Sequence, residues 1–223
     1  MVWVARAKTT SVGRATPDTD VPIRALRDGA IIVAPWYQAL VFEGRVFGAQ
    51  AGSVTTPIAG HAAIDADQPE LAVFVAAAGT TLIPVYVEMT METGSTTLAQ
   101  GGMMAAVSNI NVGVGTSTEF TPFNLKFSAP GYNTAAAAAH TYTGNGTDPL
   151  TAGNFLELAR VSAVIDADAA VAGIVPPVLR WSVVTEAVAP CVEDIGSILA
   201  YGEAAANTLF ARILWAELAT ADL

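Results

Sequence analysis

The run at 208–217, TLFARILWAE, alternates without a break. Leu209, Ala211, Ile213 and Trp215 fall on one side of an extended chain, with Glu217 at the exposed end. Phe210, Arg212, Leu214 and Ala216 fall on the other. A period of two is the signature of a β-strand, and a strand apolar on both sides has to be covered on both faces, by its own chain or by a neighbouring subunit. This run closes a stretch, 176–218, that reads as three strands: 178–186, 197–202 and 208–217. Turn residues and the small-residue patch 203–207 separate them.

Upstream the same grammar continues. Residues 1–30 are rich in Thr, Arg, Pro and Asp and read as an N-terminal arm, with Trp3 in an apolar 2–4 segment as an anchor onto a neighbour. Residues 36–50 read as a strand, or as a hairpin bent at Glu43-Gly44. The runs 71–78 and 82–92 read as a hairpin. In its second half Val85, Val87, Met89 and Met91 share one face, and Tyr86, Glu88, Thr90 and Glu92 form a polar, exposed one. Segments 103–114 and 119–127 read as strands, 94–102 as a loop, and 130–148 as an exposed insertion loop. Segment 155–166 fits a helix or a strand, and its all-β surroundings favour the strand. Eight to ten short strands spaced by Gly, Pro and Asn, with no long amphipathic helix among them, predict an all-β jelly-roll β-sandwich over 31–223, preceded by the arm. Ile64-Asp65-Ala66-Asp67 recurs as Ile165-Asp166-Ala167-Asp168, which is either an echo of two equivalent hairpins or chance in an Ala-rich chain.

Composition bears on what such a sandwich is for. Only 13% of the 223 residues are charged and 52% are hydrophobic, against about 25% charged in an average soluble domain. A surface of Ala, Thr, Ser, Gly and Val suits packing against other copies, although Ala standing in for Lys and Glu in a high-GC genome gives the same figures. The net charge of −10 excludes a general nucleic-acid binder. Five of the ten basic residues nonetheless lie in the first 27 positions, Arg6, Lys8, Arg14, Arg24 and Arg27, so a basic arm leads an acidic body. That arm suits nucleic acid, an acidic patch on a neighbour, or plain solvation. The single cysteine, Cys191, allows no internal disulfide and reads as a small buried hydrophobe. The first residues, MVWVARAKTT, lack the apolar core and cleavage site of a secretory leader, and no run of about 18 apolar residues predicts a membrane span.

Site chemistry is sparse. The Asp65/Asp67 and Asp166/Asp168 turns offer oxygen to calcium but lack the further carboxylates and the glycine of a calcium loop, so they read as turn-forming aspartates. His61 and His140 stand in no zinc-type spacing. No G-x-S-x-G is present, and Val112-Gly113-Val114-Gly115 lacks the Lys-Ser/Thr ending of a phosphate loop. Glu43, Glu88, Glu92, Glu157, Glu186 and Glu217 are the carboxylates a glycosidase would draw on, and read as solvated face residues. Trp181 and Trp215 lie inside strand patterns and read as core or subunit packing. Asn145-Gly146-Thr147 is a formal glycosylation sequon without a secretory route. No catalytic residue, metal or cofactor is expected.

The strand beginning Pro177-Val178, the run Ser197-Ile198-Leu199-Ala200-Tyr201 and the ending Leu214-Trp215-Ala216-Glu217-Leu218 together resemble the closing strands of single jelly-roll virion proteins. These are capsid subunits and TNF-like trimeric decoration or spike domains of phages and viruses. The resemblance covers under a fifth of the chain. It implies a non-catalytic virion structural protein, assembled in the host cytoplasm as a trimer or icosahedral lattice with copies of itself and other virion proteins. Trp3, Arg6, Arg14, Phe210 and Trp215 are the candidate interface residues, and the arm is a candidate weak nucleic-acid contact. Part of 208–218, with Trp215 as anchor, is expected to face a neighbouring copy. Two alternatives stay open: a carbohydrate-binding or adhesin sandwich using Tyr132 and Tyr142, and a β-sandwich glycosidase.

Overall fold

The computed structural model describes residues 35–75, 78–91, 98–108, 110, 117–127, 135–142, 149–150, 153–164, 178–193, 195–203 and 208–223. The arm, with Trp3, Arg6 and Arg14, lies outside them, as do Glu92, Tyr132, Asn145, Asp166 and Asp168.

The described chain opens not on a strand but on a helix, α1 (Trp36–Glu43). Its apolar residues fall on every side, so no helical period shows in the sequence. The bend expected at Glu43-Gly44 is the cap of this helix. Gly44 adopts a left-handed φ of 72°, its N–H donates to the Val41 carbonyl, and the Arg45 N–H donates to Leu40. That pair of bonds is a Schellman termination, in which glycine at the left-handed position escapes the Cβ penalty.

Twelve strands follow: β1 (Val46–Ala51), β2 (Ile58–Ala59), β3 (Leu71–Phe74), β4 (Thr80–Met91), β5 (Leu98–Ala106) and β6 (Ser117–Phe120). Then come β7 (Phe123–Asn124), β8 (Ala138–Tyr142), β9 (Phe155–Val164), β10 (Val178–Ser182), β11 (Ser197–Glu203) and β12 (Thr208–Ala219). They make two six-stranded sheets. One runs β10-β4-β12-β1-β7, with β2 also on β12; the other runs β6-β8-β3-β11-β5-β9. Every pairing between these strands is antiparallel. The protein is thus an all-β sandwich of two packed sheets.

Several expectations are corrected. Runs 71–78 and 82–92 are not a hairpin: β3 pairs with β8 and β11, whereas β4 pairs with β10 and β12 in the other sheet. Gly79, at φ 105°, therefore turns the chain from one sheet to the other. Segment 178–186 is strand only to Ser182. Ser182 Oγ then accepts the Thr185 N–H and caps a one-turn helix, α2 (Val183–Glu186). The 130–148 insertion is not simply an exposed loop, because β8 lies inside it with Ala139 and Tyr142 fully buried. β5 begins at Leu98, inside the expected loop 94–102. Segment 155–166 is the strand that its surroundings favoured.

The core lies between the sheets. Phe47, Val87, Met89, Trp181, Ile213 and Trp215 from the first sheet meet Leu71, Val73, Met103, Ile198 and Ala200 from the second. Alternation selects them: along β12 the inward Leu209, Ala211, Ile213 and Trp215 are all buried, while the outward Phe210, Arg212 and Leu214 are half-buried. β4 crosses the middle of its sheet despite Pro84. The register slips between Leu214 and Trp215, pairing Leu214 with Tyr86 and Trp215 with Pro84. Val85 is the extra residue of a bulge, the place where a strand tolerates proline. A second cluster, Phe74, Met104, Ile110, Tyr142, Leu199 and Tyr201, covers the outer side of the second sheet. β11 is therefore buried on both faces along nearly all its length.

Candidate functional site

The outer face of the first sheet carries its most ordered polar chemistry. Register places Arg180 opposite Glu88, Glu88 opposite Arg212, and Arg212 opposite Gln50, one row across four strands. Arg180 Nε donates to Glu88 Oε1 at 2.8 Å, and an Arg212 Nη donates to Glu88 Oε2 at 2.7 Å. Burial alone would push the Glu88 carboxyl up, but the Arg180 hydrogen bond and the Arg212 charge outweigh it and hold the group below its ordinary value. The Arg212 guanidinium sits 5.2 Å from the centre of the Tyr86 ring, within cation–π range. Gln50, Glu88, Thr90, Phe210, Ala211 and Arg212 line a shallow groove of about 170 Å³.

Further along this face Phe123 closes over β1, opposite Gly48. A Cβ on Gly48 would come 2.7 Å from the Leu214 side chain and 2.9 Å from the Phe123 ring, so a larger residue there would have to push those two side chain ends aside. Phe127, 81% exposed, stacks on Phe123 with ring centres 6.0 Å apart.

A second concavity lies where α1, the 187–191 turn and the chain end at Leu223 meet: an apolar groove of about 540 Å³. Trp36, Leu40, Ile83, Val188, Cys191 and Leu223 are among its walls. Cys191 is exposed rather than buried as the sequence predicted. The residue that turns the chain here, Ala187, holds a positive φ of 62°, uncommon for a side chain other than glycine.

The predicted interface residues separate. Phe210 lies half-buried on the outer face of β12. Trp215 is corrected: it is 0% exposed between the sheets, with the Phe47 ring 6.2 Å away, and offers no surface to a neighbour. Glu217 is not at an exposed end. It is buried, accepting N–H bonds from Trp215 Nε1 at 2.9 Å and from the backbone of Ala136 and Ala137 at 2.8 and 3.0 Å. Parity along β12 puts Glu217 on the inward side with Trp215, and the chain ahead of β8 supplies donors that no local pattern reveals.

The other candidate groups also find structural partners. Glu43 lies 3.6 Å from Arg45 and Glu157 bonds Arg160. Glycoside hydrolysis draws on two side-chain carboxylates about one cleft, and Glu43 and Glu88 line different grooves. Tyr142, offered as an exposed sugar-stacking ring, is fully buried and its hydroxyl is pushed up to about 12 by that burial. The Asp65-Ala66-Asp67 segment is a turn: Asp65 O accepts the Gln68 N–H and Ala66 O accepts the Tyr201 hydroxyl. Among the described residues no group of three or more His, Cys, Asp and Glu side chains is placed to hold a metal. No described helix is long and apolar enough to cross a membrane.

The two histidines differ. His140, between Phe74 and Tyr142, is shifted down by burial. His61 Nδ1 lies 3.0 Å from Glu70 Oε1, whose carboxylate is 1% exposed and also takes the Gly202 N–H. The Glu70 hydrogen bond raises His61 above its ordinary 6.5, against an opposing effect of burial. A raised folded-state value means the pair stabilises fully below 6.5 and loses that contribution as pH rises through the raised value. Urea unfolding of wild type and His61→Gln should therefore differ most below the ordinary 6.5 and draw together as pH rises above it. A gap that widens with pH would contradict the ion pair.

No protein-family model, no curated protein and no solved structure matches this chain. Fold and site define it by themselves: an all-β, two-sheet sandwich with a paired polar row on one outer face and an apolar groove at one end.

Proposed function

We propose that this chain is a structural subunit of a virus or phage particle, a jelly roll that assembles with copies of itself as a capsid, decoration or spike component and carries out no catalysis. The strand pairing supports the jelly roll. Take β1, β3, β4, β5, β9, β10, β11 and β12 as eight successive strands. The first pairs with the last (β1·β12), the second with the seventh (β3·β11), the third with the sixth (β4·β10) and the fourth with the fifth (β5·β9). That is one long antiparallel ribbon rolled into two sheets, and β4·β12 and β5·β11 close the roll. On this reading β6, β7 and β8 are an insertion between the fourth and fifth strands, which extends both sheets beyond β1 and β3.

The observation that carries the assembly is the surface. On a chain with 13% charged residues, Trp36, Phe42, Phe127, Leu156, Val184 and Val188 are all exposed. An isolated soluble domain keeps such side chains few and scattered, and an obligate subunit covers them with its neighbours. The basic 1–27 segment is the part suited to an acidic neighbour or the packaged genome. Light scattering after size exclusion, with negative-stain images, should show a discrete multi-copy species or particles. A stable monomer at tens of micromolar, above the dissociation constants of obligate assemblies, would overturn the reading.

A further inference from the structure

We infer that His61 is a proton-operated clasp: as an imidazolium it holds the 58–70 crossover against the ends of β8 and β11, and loss of its proton releases that crossover. The device belongs to the fold and stands apart from the assembly proposed above.

The crossover leaves the first sheet at β2, which pairs with β12, and enters the second at Leu71, where β3 begins. His61 comes two residues after β2 and Glu70 directly before β3. A backbone bridge joins His61 to Glu203 at the end of β11. Pro69 O accepts the Tyr142 N–H at the end of β8, and Ala66 O accepts the Tyr201 hydroxyl of β11. No helix or strand forms between β2 and β3, so side-chain bonds and these few backbone contacts hold the segment down.

Both partners of the His61 ring are acceptors. Nδ1 lies 3.0 Å from Glu70 Oε1. The ring also bonds the backbone of Tyr142, whose N–H is already given to Pro69, so the group that meets the ring is the carbonyl. A neutral imidazole carries one N–H and serves one acceptor; only the imidazolium, with two, serves both. Glu70 adds a second dependence. Its carboxylate is 1% exposed and takes the backbone N–H groups of His61 and Gly202, which are uncharged, while the His61 ring is its ion-pair partner. A buried carboxylate deprived of its cation is costly. Deprotonation therefore removes one ring bond and strands the Glu70 charge, and opening the segment to water relieves both.

The surroundings leave this response to His61. Its own segment supplies Glu70, Asp65 and Asp67, and the first two favour the cation. β8 brings His140, held below 6.5 by burial, and Tyr142, pushed up to about 12, so both are uncharged as pH rises above 6.5. β11 brings the bonded Tyr201 hydroxyl and Glu203. The clasp is thus closed at low pH and opens as pH rises.

The test is amide hydrogen exchange of the full chain by mass spectrometry from about pH 5 to pH 9, corrected for intrinsic rates, with the imidazole nitrogen shifts read by NMR on the same protein. Protection of 61–70 and of the Gly202 amide is expected to fall at least about tenfold, the equilibrium effect of losing one hydrogen bond to a charged group. The fall should follow the titration of the His61 ring, while the β4·β12 ladder keeps its protection. In His61→Gln the same segment should exchange fast at every pH. Protection of 61–70 that ignores pH, or that falls equally in His61→Gln, overturns the clasp. So does a loss spread over β12 as well, because pH then acts on the whole sandwich. The ring titration requires no variant: a His61 that carries a single N–H at about pH 6, below its ordinary value, overturns the proposal even if His61→Gln does not fold.

Discussion

Trp215→Ala is expected to remove about 4 kcal/mol of stability, in the range found for emptying a large aromatic site in a core. Trp215 is among the largest fully buried side chains and faces Phe47 across the β1·β12 ladder. Its loss opens a cavity that two hydrogen-bonded sheets cannot collapse to fill, and leaves Glu217 short of one donor. At this chain length each kcal/mol moves the melting temperature by about 2–4 °C, so a fall of roughly 10 °C or more should be seen. The same measurement separates core from seam. A Trp215 that anchored a neighbour would change the assembly state and leave the unfolding of the separated chain nearly untouched; a loss under about 1 kcal/mol would sink the core assignment.

Glu217→Ala should cost about 3–5 kcal/mol, through a different mechanism. Three N–H donors converge on that carboxylate, one from Trp215 and two from the backbone ahead of β8. Removing it leaves them without an acceptor in a site where water has little access, and it unties the chain just ahead of β8 from the end of β12. Glu217→Gln should lose less, because its carbonyl oxygen still accepts while its amide nitrogen meets a donor. Denaturant unfolding of the two variants tests this, and equal losses would show that the charge rather than the bonding geometry matters. A double-mutant cycle with Trp215→Phe, which keeps a ring and deletes the indole N–H, should give a coupling of about 1 kcal/mol or more. A coupling near zero would mean that the 2.9 Å contact contributes nothing.

Local alternation made much of the sandwich readable. The faces of β4 and β12 follow from Val87, Met89 and Met91 and from Leu209, Ala211, Ile213 and Trp215, and the structure buries those residues. Segment 155–166 fitted helix and strand alike, and its all-β surroundings rather than its own pattern pointed to the strand that forms. What misled is equally physical. α1 has no period because its apolar residues surround it, and its only local signal is Gly44, whose cap looks in sequence like a hairpin bend. β3 and β4 are close in sequence and both apolar, but nothing local distinguishes a turn within a sheet from a turn between sheets. Of the Arg180–Glu88–Arg212 row, the sequence showed Glu88 on a polar strand face and Arg212 on the outward side of β12, with nothing to join them. The row's assembly depends on a register between strands some 90 and 120 residues apart.

By itself the sequence determined the chemistry of each strand's two faces, because alternation is a property of neighbouring residues and is fixed once the backbone is extended. It also determined the scarcity of charge that any function of this chain has to accommodate. Only the tertiary structure decided which faces meet. Trp215 is apolar and inward by parity, and it became core instead of seam because the second sheet lies against it. Glu217 is acidic and also inward by parity, and it became a buried acceptor because chain from 80 residues away brings two N–H groups to it. Burial and hydrogen-bond satisfaction are relations between distant segments, and no window of the sequence holds both partners.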